Sequence, residues 1–153
     1  MSVTTTSLSD TLPSTVPKLD ATGVNWAIFS VRFQDAVEAK GFWGHFDGTS
    51  TCPTLSTSPT ADETAAKNQW EKDERSAKFL LTQKIPDSTL MRVHSKTSVK
   101  ERWDAIVKEY TDKGVYAHTE LRTKFLESRC PDKGNIREFL SLLSFGFASE
   151  SEE

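Results

Sequence analysis

The sequence predicts an all-α protein with five to six helices in one compact domain. Apolar side chains recur at spacings of three and four along several stretches, which places them on one face of a helix. Helix-start signals, in which Ser, Thr or Asn is followed three residues later by Glu, occur at Thr60, Ser98 and Asn135. No alternating run of apolar and polar residues is long enough to predict a strand.

The length of 153 residues suits a single domain. Residues 1–16 are rich in Ser and Thr, and we expect them to form a disordered arm, since so few apolar residues cannot offset the entropy cost of ordering. The helical domain then covers 17–147, with an internal Ser/Thr-rich loop at about 45–60. The acidic end, 148–153, is expected to be a frayed tail.

The first helix is expected to begin at Trp26, with Asn25 as its N-cap, and to end near Lys40. Gly41 follows as a left-handed C-cap, because glycine adopts a positive φ without strain. The aromatic pair after it, which ends at Trp43, is expected to fold back onto the core. A surface contact patch that includes Phe46 is the weaker alternative.

Two further helices are predicted in the middle of the chain. The longer one runs over about 61–84, with Trp70 and Leu80 on its apolar face and its charged side chains on the opposite face. Pro86 ends this helix, and a short helix follows over 89–94.

The second half of the chain predicts a helix over 98–110, closed at Gly114, then a separate helix over 115–129 and a last one from Asn135. The spacing of the aromatic and aliphatic residues indicates which side chains build the core. The expected structural core landmarks are Trp26, Phe29, Phe33, Trp43, Trp70, Leu80, Trp103, Ile106, Tyr110 and Phe125.

The residues that could carry chemistry do not form a recognisable pattern. Neither the histidines nor the cysteines have the spacing of metal ligands, and the cysteines do not form a disulfide framework. The sequence contains no nucleophile elbow and no phosphate-binding loop. We therefore expect no catalytic residues, no metal, no cofactor and no small-molecule substrate. The residues considered were His45, His94, His118, Cys52 and Cys130.

The charge pattern favours a solvated surface over a nucleic-acid-binding surface. The net charge is −3, and the many basic residues between Lys96 and Arg137 alternate with acidic ones, whereas binding to phosphates needs clustered positive charge. No secretory signal and no run of about 20 apolar residues is present. We expect a cytoplasmic protein with reduced cysteines and no membrane partner.

A set of landmarks occurs in an order that is similar to one protein family. The chain resembles the Gag polyprotein of copia-type LTR retrotransposons over residues 17–143. The landmarks are Leu19-Asp20, Gly23, Asn25-Trp26, Gly41-Phe42-Trp43, Trp70 with Asp73 and Ala77, Ile85-Pro86-Asp87 before Leu90, Glu101-Arg102-Trp103-Asp104 with Tyr110, and Leu121 with Lys124-Phe125.

This resemblance implies a capsid-like helical domain, whole or truncated, that self-associates into a virus-like particle shell around the RNA of the transposable element. It implies no catalysis, and its partner is a second copy of the chain. Family members usually carry a Cys-x-x-Cys-x-x-x-x-His-x-x-x-x-Cys zinc knuckle, which this sequence lacks, so only weak RNA binding is expected. A helical interaction module adopted by the host and an RNA-binding domain without a zinc knuckle are the alternatives.

Overall fold

The computed structural model describes residues 11–128 and 135–141. All regular structure in these residues is helical, and they contain no strand, which confirms the predicted all-α class. Residues 136–141 form a sixth helix, α6. The other five are α1 (Trp26–Ala39), α2 (Trp43–Asp47), α3 (Ala61–Thr82), α4 (Asp87–Val93) and α5 (Val99–Glu127).

The segment before α1 is part of the folded domain. Leu12, Val16 and Leu19 are buried in the core, although the predicted disordered arm included the first two of these residues. The backbone is also held, because Leu12 N donates to Gln83 Oε1 over 3.3 Å and Leu19 N donates to Lys84 O over 2.7 Å. The predicted arm is therefore wrong for residues 11–16, and its first ten residues lie outside the described chain.

The two ends of α1 are built in different ways. Asn25 occupies the N-cap position, but its side chain makes no capping bond to the helix. It instead orders the preceding turn, since Asn25 Nδ2 donates to Lys18 O over 2.8 Å and Asp20 N donates to Asn25 Oδ1 over 2.9 Å. At the other end Gly41 has the expected positive φ of 79°.

The short helix α2 occupies the start of the region predicted to be a loop. It ends at Gly48, whose φ of 84° is left-handed, so the irregular segment begins there and not at residue 45. His45 and Phe46 are buried because α2 packs between α3 and α5. The sequence signal was too short to indicate this single-turn element, which tertiary packing stabilises.

The start of α3 has the predicted capping box. Glu63 N donates to Thr60 Oγ1 and Thr60 N donates to Glu63 Oε2, both over 3.2 Å. The hydroxyl of Ser56 also donates to Glu63, and this bond, followed by that from Thr60 N, holds the pKa of the Glu63 carboxyl below its usual range. The carboxylate is therefore ionised where the positive end of the helix dipole favours negative charge.

The helix α5 continues without interruption through Gly114, so the predicted break at this residue is wrong. Its buried side follows spacings of four, three, four and four. Val99, Trp103, Ile106, Tyr110 and Gly114 are the buried positions. The turn before α1 and the first residue of α1 pack against α5 here: a Cβ on Gly114 would lie 3.5 Å from the carbonyl oxygen of Gly23 and 3.7 Å from Trp26, which are ordinary contact distances.

The start of α5 keeps half of its predicted capping box. Ser98 Oγ accepts a hydrogen bond from Glu101 N over 3.2 Å, as expected. The Glu101 carboxylate accepts from the amide and from the hydroxyl of Thr97, each over 3.2 Å. The backbone amide of Ser98, followed by the hydroxyl and the amide of Thr97, holds the pKa of the Glu101 carboxyl below its usual range.

An aromatic cluster forms the centre of the domain, where α1, α2 and α5 meet. The Trp103 ring lies 5.1 Å from the Phe33 ring in a stacked arrangement, measured between centroids. The rings of Trp26, Trp43 and Phe46 lie 5.7–5.8 Å from the same tryptophan. Rings at these separations interact favourably beyond the area that they bury, so the cluster fixes how the helices pack.

Candidate functional site

Most of the expected core landmarks lie in the core or against it. Phe29, Phe33, Leu80, Trp103, Ile106 and Tyr110 are buried, and Trp26 and Trp43 are half-buried and packed against them. Phe125 is different, because 46% of its side chain is exposed, and its predicted core position is wrong. The physical reason is that α5 runs on beyond the body of the domain, so helical spacing alone does not bring Phe125 to the core.

Trp70 lies at the edge of the domain. Its side chain is half-buried, and Nε1 donates to Ser50 Oγ over 3.0 Å. The ring centroid is 5.2 Å from that of His45. Trp70 therefore closes the loop between α2 and α3 onto the helices and covers a buried polar contact.

That polar contact joins His45 and Glu74, both only 7% exposed. His45 Nδ1 and Glu74 Oε2 are 2.7 Å apart, and Glu74 Oε1 accepts from Val99 N over 2.8 Å. One carboxylate thus connects α2, α3 and the first turn of α5, where unpaired N–H groups and the helix dipole favour negative charge.

The sequence interpretation missed Glu74, since it placed the charged residues of this helix on the solvent face. Helical spacing could have identified the burial of Glu74. It is four residues after Trp70 and three before Ala77, so it lies on the apolar face of α3. A carboxylate on such a face must find hydrogen-bond donors, and buried His45 and the start of α5 supply them.

The His45–Glu74 contact joins helices, since both Glu74 oxygens hold neighbouring elements in place. In the described residues no three His, Cys, Asp or Glu side chains are grouped so that they could hold a metal ion. His94, His118 and Cys52 are exposed, and Cys130 lies outside the described residues.

A second buried contact positions α4 on α5. Thr89 Oγ1 and the Tyr110 hydroxyl are 2.6 Å apart, and both side chains are fully buried. Arg92 donates to Thr89 Oγ1 over 3.3 Å and forms an ion pair with Glu109. This network satisfies the Tyr110 hydroxyl inside the core, and it has the features of a structural contact.

The basic side chains of the second half lie among acidic partners. Lys113, Lys100 and Lys124 form ion pairs one turn along α5, with Glu109, Asp104 and Glu120 respectively. Arg102 donates instead to the carbonyl oxygens of His94 and Lys96. In the described chain these contacts favour a mixed-charge surface over a phosphate-binding groove.

The largest set of exposed apolar side chains lies at the end of α5 and in α6. We call residues 115–127 the distal half of α5, and none of its side chains is buried. Exposed fractions are 66% for Val115, 74% for Tyr116 and 69% for Leu126, and in α6 they are 65% for Ile136 and 56% for Leu140. Exposed apolar residues gathered on one segment are typical of a contact surface.

The described residues thus form a helical domain with an aromatic core, buried polar contacts between its helices and a set of exposed apolar side chains at the end of α5. The family comparison gives a specific result: the model for the gag-polypeptide of LTR copia-type matches residues 34–144. The chain belongs to this family of Gag polypeptides, as its resemblance implied. It is a Gag-like retrotransposon protein, and its family is structural and not enzymatic.

The other comparisons found no match, either among the curated proteins or among the solved structures. In the described part of the chain, no helix combines the length and the hydropathy that a membrane crossing requires.

Proposed function

We propose that this chain is a structural Gag protein that associates with copies of itself to form a particle shell around the RNA of its retrotransposon. The observation that carries the proposal is the family match over residues 34–144, which covers most of the 153-residue chain. The shell would assemble in the cytoplasm, where the exposed thiol of Cys52 stays reduced.

The structure supports a role in association more than a role in chemistry. The buried His45–Glu74 and Thr89–Tyr110 contacts hold helices in place, while the apolar side chains of the distal half of α5 remain available to a partner. The net charge of −3 and the paired lysines favour enclosure of RNA with only weak direct binding.

Sedimentation velocity of the purified full chain over a wide concentration range tests this proposal. We expect species larger than the monomer that grow with concentration, and closed or sheet-like assemblies in negative-stain electron microscopy. Parallel samples with added RNA and with nuclease separate protein association from bridging by RNA. A monomer at every concentration, with and without RNA, would overturn the proposed function for this chain.

A further inference from the structure

We infer that single-stranded RNA binds to the outer face of α3, which we define by Lys72, Arg75, Lys78 and Phe79 in the second half of this helix. The inference rests on the proposed function, in which the shell encloses RNA, and it adds the surface that contacts the RNA. The starting observation is that Phe79 is 54% exposed, whereas the other large apolar side chains of α3 are buried or half-buried.

The outer face lies on the side of α3 that is opposite the core. Lys72, Arg75 and Phe79 follow one another at spacings of three and four residues, so they lie within an arc of about 60° and within about 10 Å along the helix. The buried Ala77 and Leu81 each lie about 160° around the helix from Phe79. A base that stacks on the Phe79 ring therefore has cations beside it on the same face.

The cations of the outer face are not neutralised by acidic partners. In the part of the chain that the structure describes, none of the three takes part in an ion pair. The nearby carboxylates have other partners, since Glu71 pairs with Lys67 and Asp73 accepts from Gln69 Nε2 over 2.8 Å. The paired lysines of α5 differ in this respect. Unpaired positive charge favours binding to phosphates, because cations that replace the counterions of a nucleic acid supply much of the affinity.

The exposed ring of Phe79 favours a single strand over a duplex. Proteins that bind single strands without sequence preference stack bases on aromatic side chains beside positive charge. The bases in a duplex are already stacked on one another, so only unpaired bases offer a free face to such a ring. The outer face of α3 therefore fits a few unpaired nucleotides whose phosphates reach the cations.

A protein partner fits this surface less well than RNA does. Phe79 is the only exposed large apolar side chain of α3. Protein interfaces bury a contiguous apolar centre, and lysine is depleted in them. A single aromatic ring among cations instead matches the alternation of base and phosphate along a nucleotide chain.

Fluorescence anisotropy of a labelled uridine oligomer tests the inference with the full chain. We expect binding at about 50 mM salt, and a slope of log K against log salt near −2 for about three phosphate contacts. Lys72→Gln/Arg75→Gln should weaken binding about tenfold and reduce the slope to about −0.7. Lys100→Gln/Lys124→Gln is the matched control, because it removes the same charge from lysines that are already paired. The control should weaken binding by no more than about threefold.

Substitutions of Phe79 test the stacking contact. Phe79→Ala should weaken binding of the oligomer at least fivefold, whereas Phe79→Tyr keeps a ring and should bind within about twofold of the wild type. Phe79→Leu keeps apolar volume without a ring and should resemble the alanine variant. Binding of an RNA duplex should not change with Phe79→Ala. A leucine variant that binds as tightly as the wild type would overturn the stacking contact.

Circular dichroism verifies that each variant folds, and Lys72→Ala/Arg75→Ala replaces the glutamine variant if that one does not. Equal losses of affinity in the α3 variant and in its α5 control would show that binding follows net charge alone, and the inference would be wrong. It would also be wrong if the wild type bound no RNA at low salt.

The outcomes separate this inference from the proposed function, because sedimentation after nuclease treatment measures self-association without RNA. If the wild type associates but the α3 variants bind the oligomer as tightly as it does, the RNA surface is wrong and self-association stands. If the α3 variants lose self-association in the absence of RNA, this face contacts a second copy and the inference is overturned. A wild type that stays monomeric with and without RNA, yet binds the oligomer through α3, overturns the shell and supports the RNA surface.

Discussion

Trp103 lies at the centre of the aromatic cluster and contacts four other rings. Its ring touches those of Phe33, Trp26, Trp43 and Phe46 at centroid distances of 5.1–5.8 Å, and only 7% of the residue is exposed. We expect Trp103→Ala to lower the free energy of unfolding by about 3–5 kcal/mol, since the cavity would lie where three helices meet. Urea denaturation followed by circular dichroism measures this change.

The control for Trp103→Ala is Met91→Ala, at a residue that is 75% exposed. It should change the free energy of unfolding by no more than about 0.5 kcal/mol. Equal midpoints for the two variants would contradict a central role for Trp103 in the stability of the domain.

Glu74 is the second residue whose removal should be costly. Glu74→Ala leaves the ring of His45 and the amide of Val99 buried without their partner, so we expect a loss of about 3–5 kcal/mol. Glu74→Gln keeps one acceptor oxygen for the amide and should cost less. Urea denaturation at neutral pH compares the two variants.

Glu71→Ala is the matched control for Glu74, one turn earlier on the same helix. Glu71 is exposed, and its ion pair with Lys67 has an N–O distance of 3.9 Å. Its loss should cost no more than about 1 kcal/mol. If both alanine variants lost the same stability, the three-helix contact of Glu74 would not contribute to the fold as proposed.

At the scale of the elements, two facing glycines decide how α1 meets α5. A Cβ on Gly114 would make only ordinary contacts, at 3.5 Å and beyond, and alanine is the better helix former. Gly114→Ala should therefore raise the free energy of unfolding by about 0.5–1 kcal/mol. Gly23 has a φ of 82°, and a Cβ there would lie 2.8 Å from the Cβ of Lys113. Gly23→Ala should lower stability by about 1–3 kcal/mol.

Thermal and urea unfolding of the two glycine variants give the required comparison, with the wild type measured beside them. The essential result is that the free energy of unfolding rises with Gly114→Ala and falls with Gly23→Ala. A loss of stability with Gly114→Ala would mean that α1 lies closer to α5 than the structure shows, because only a clash with Gly23 or Trp26 could outweigh the gain in helix propensity.

The helix starts were predictable from the sequence because they depend on neighbouring residues. Thr60 and Ser98 each begin a helix as expected, since a hydroxyl and a backbone amide three residues on are enough to define a cap. The continuation of α5 through Gly114 was not predictable, because local propensity favours an end at a glycine. In the structure Gly114 is buried against Gly23, 91 residues away in the sequence, a contact that the local sequence does not indicate.

The distal half of α5 shows a further limit of prediction from the sequence. Helical spacing identified Phe125 as apolar and periodic, but the spacing of a core face and of a partner face is identical. Only the position of the distal half of α5 beyond the buried part of the helix separates the two cases. Glu74 is the converse case, since its spacing indicated the core and its charge suggested the surface.

At the scale of the whole molecule, the segment before α1 connects α1 to the C-terminal end of α3. Its side chains enter the core, and its backbone is bonded to the end of α3 through Leu19 N and Lys84 O. Arg32 of α1 also donates to the carbonyl oxygen of Thr15 over 3.1 Å. A segment held by both α1 and α3 should unfold with the domain and not before it.

Val16→Ala tests whether this segment belongs to the cooperative unit. Val16 is only 1% exposed, so removal of two methyl groups should cost about 2 kcal/mol for the whole domain. We expect one unfolding transition, shifted equally whether it is followed by tryptophan fluorescence or by circular dichroism.

Hydrogen exchange at the Leu19 amide, which bonds to Lys84 O, should accelerate by the factor that corresponds to the loss in the global free energy of unfolding. Val31→Ala, at an exposed residue of α1, is the control. Faster exchange at the Leu19 amide with an unchanged global midpoint would show that the segment opens independently. In that case the loss of packing at Val16 would not lower the stability of α1, α3 and α5.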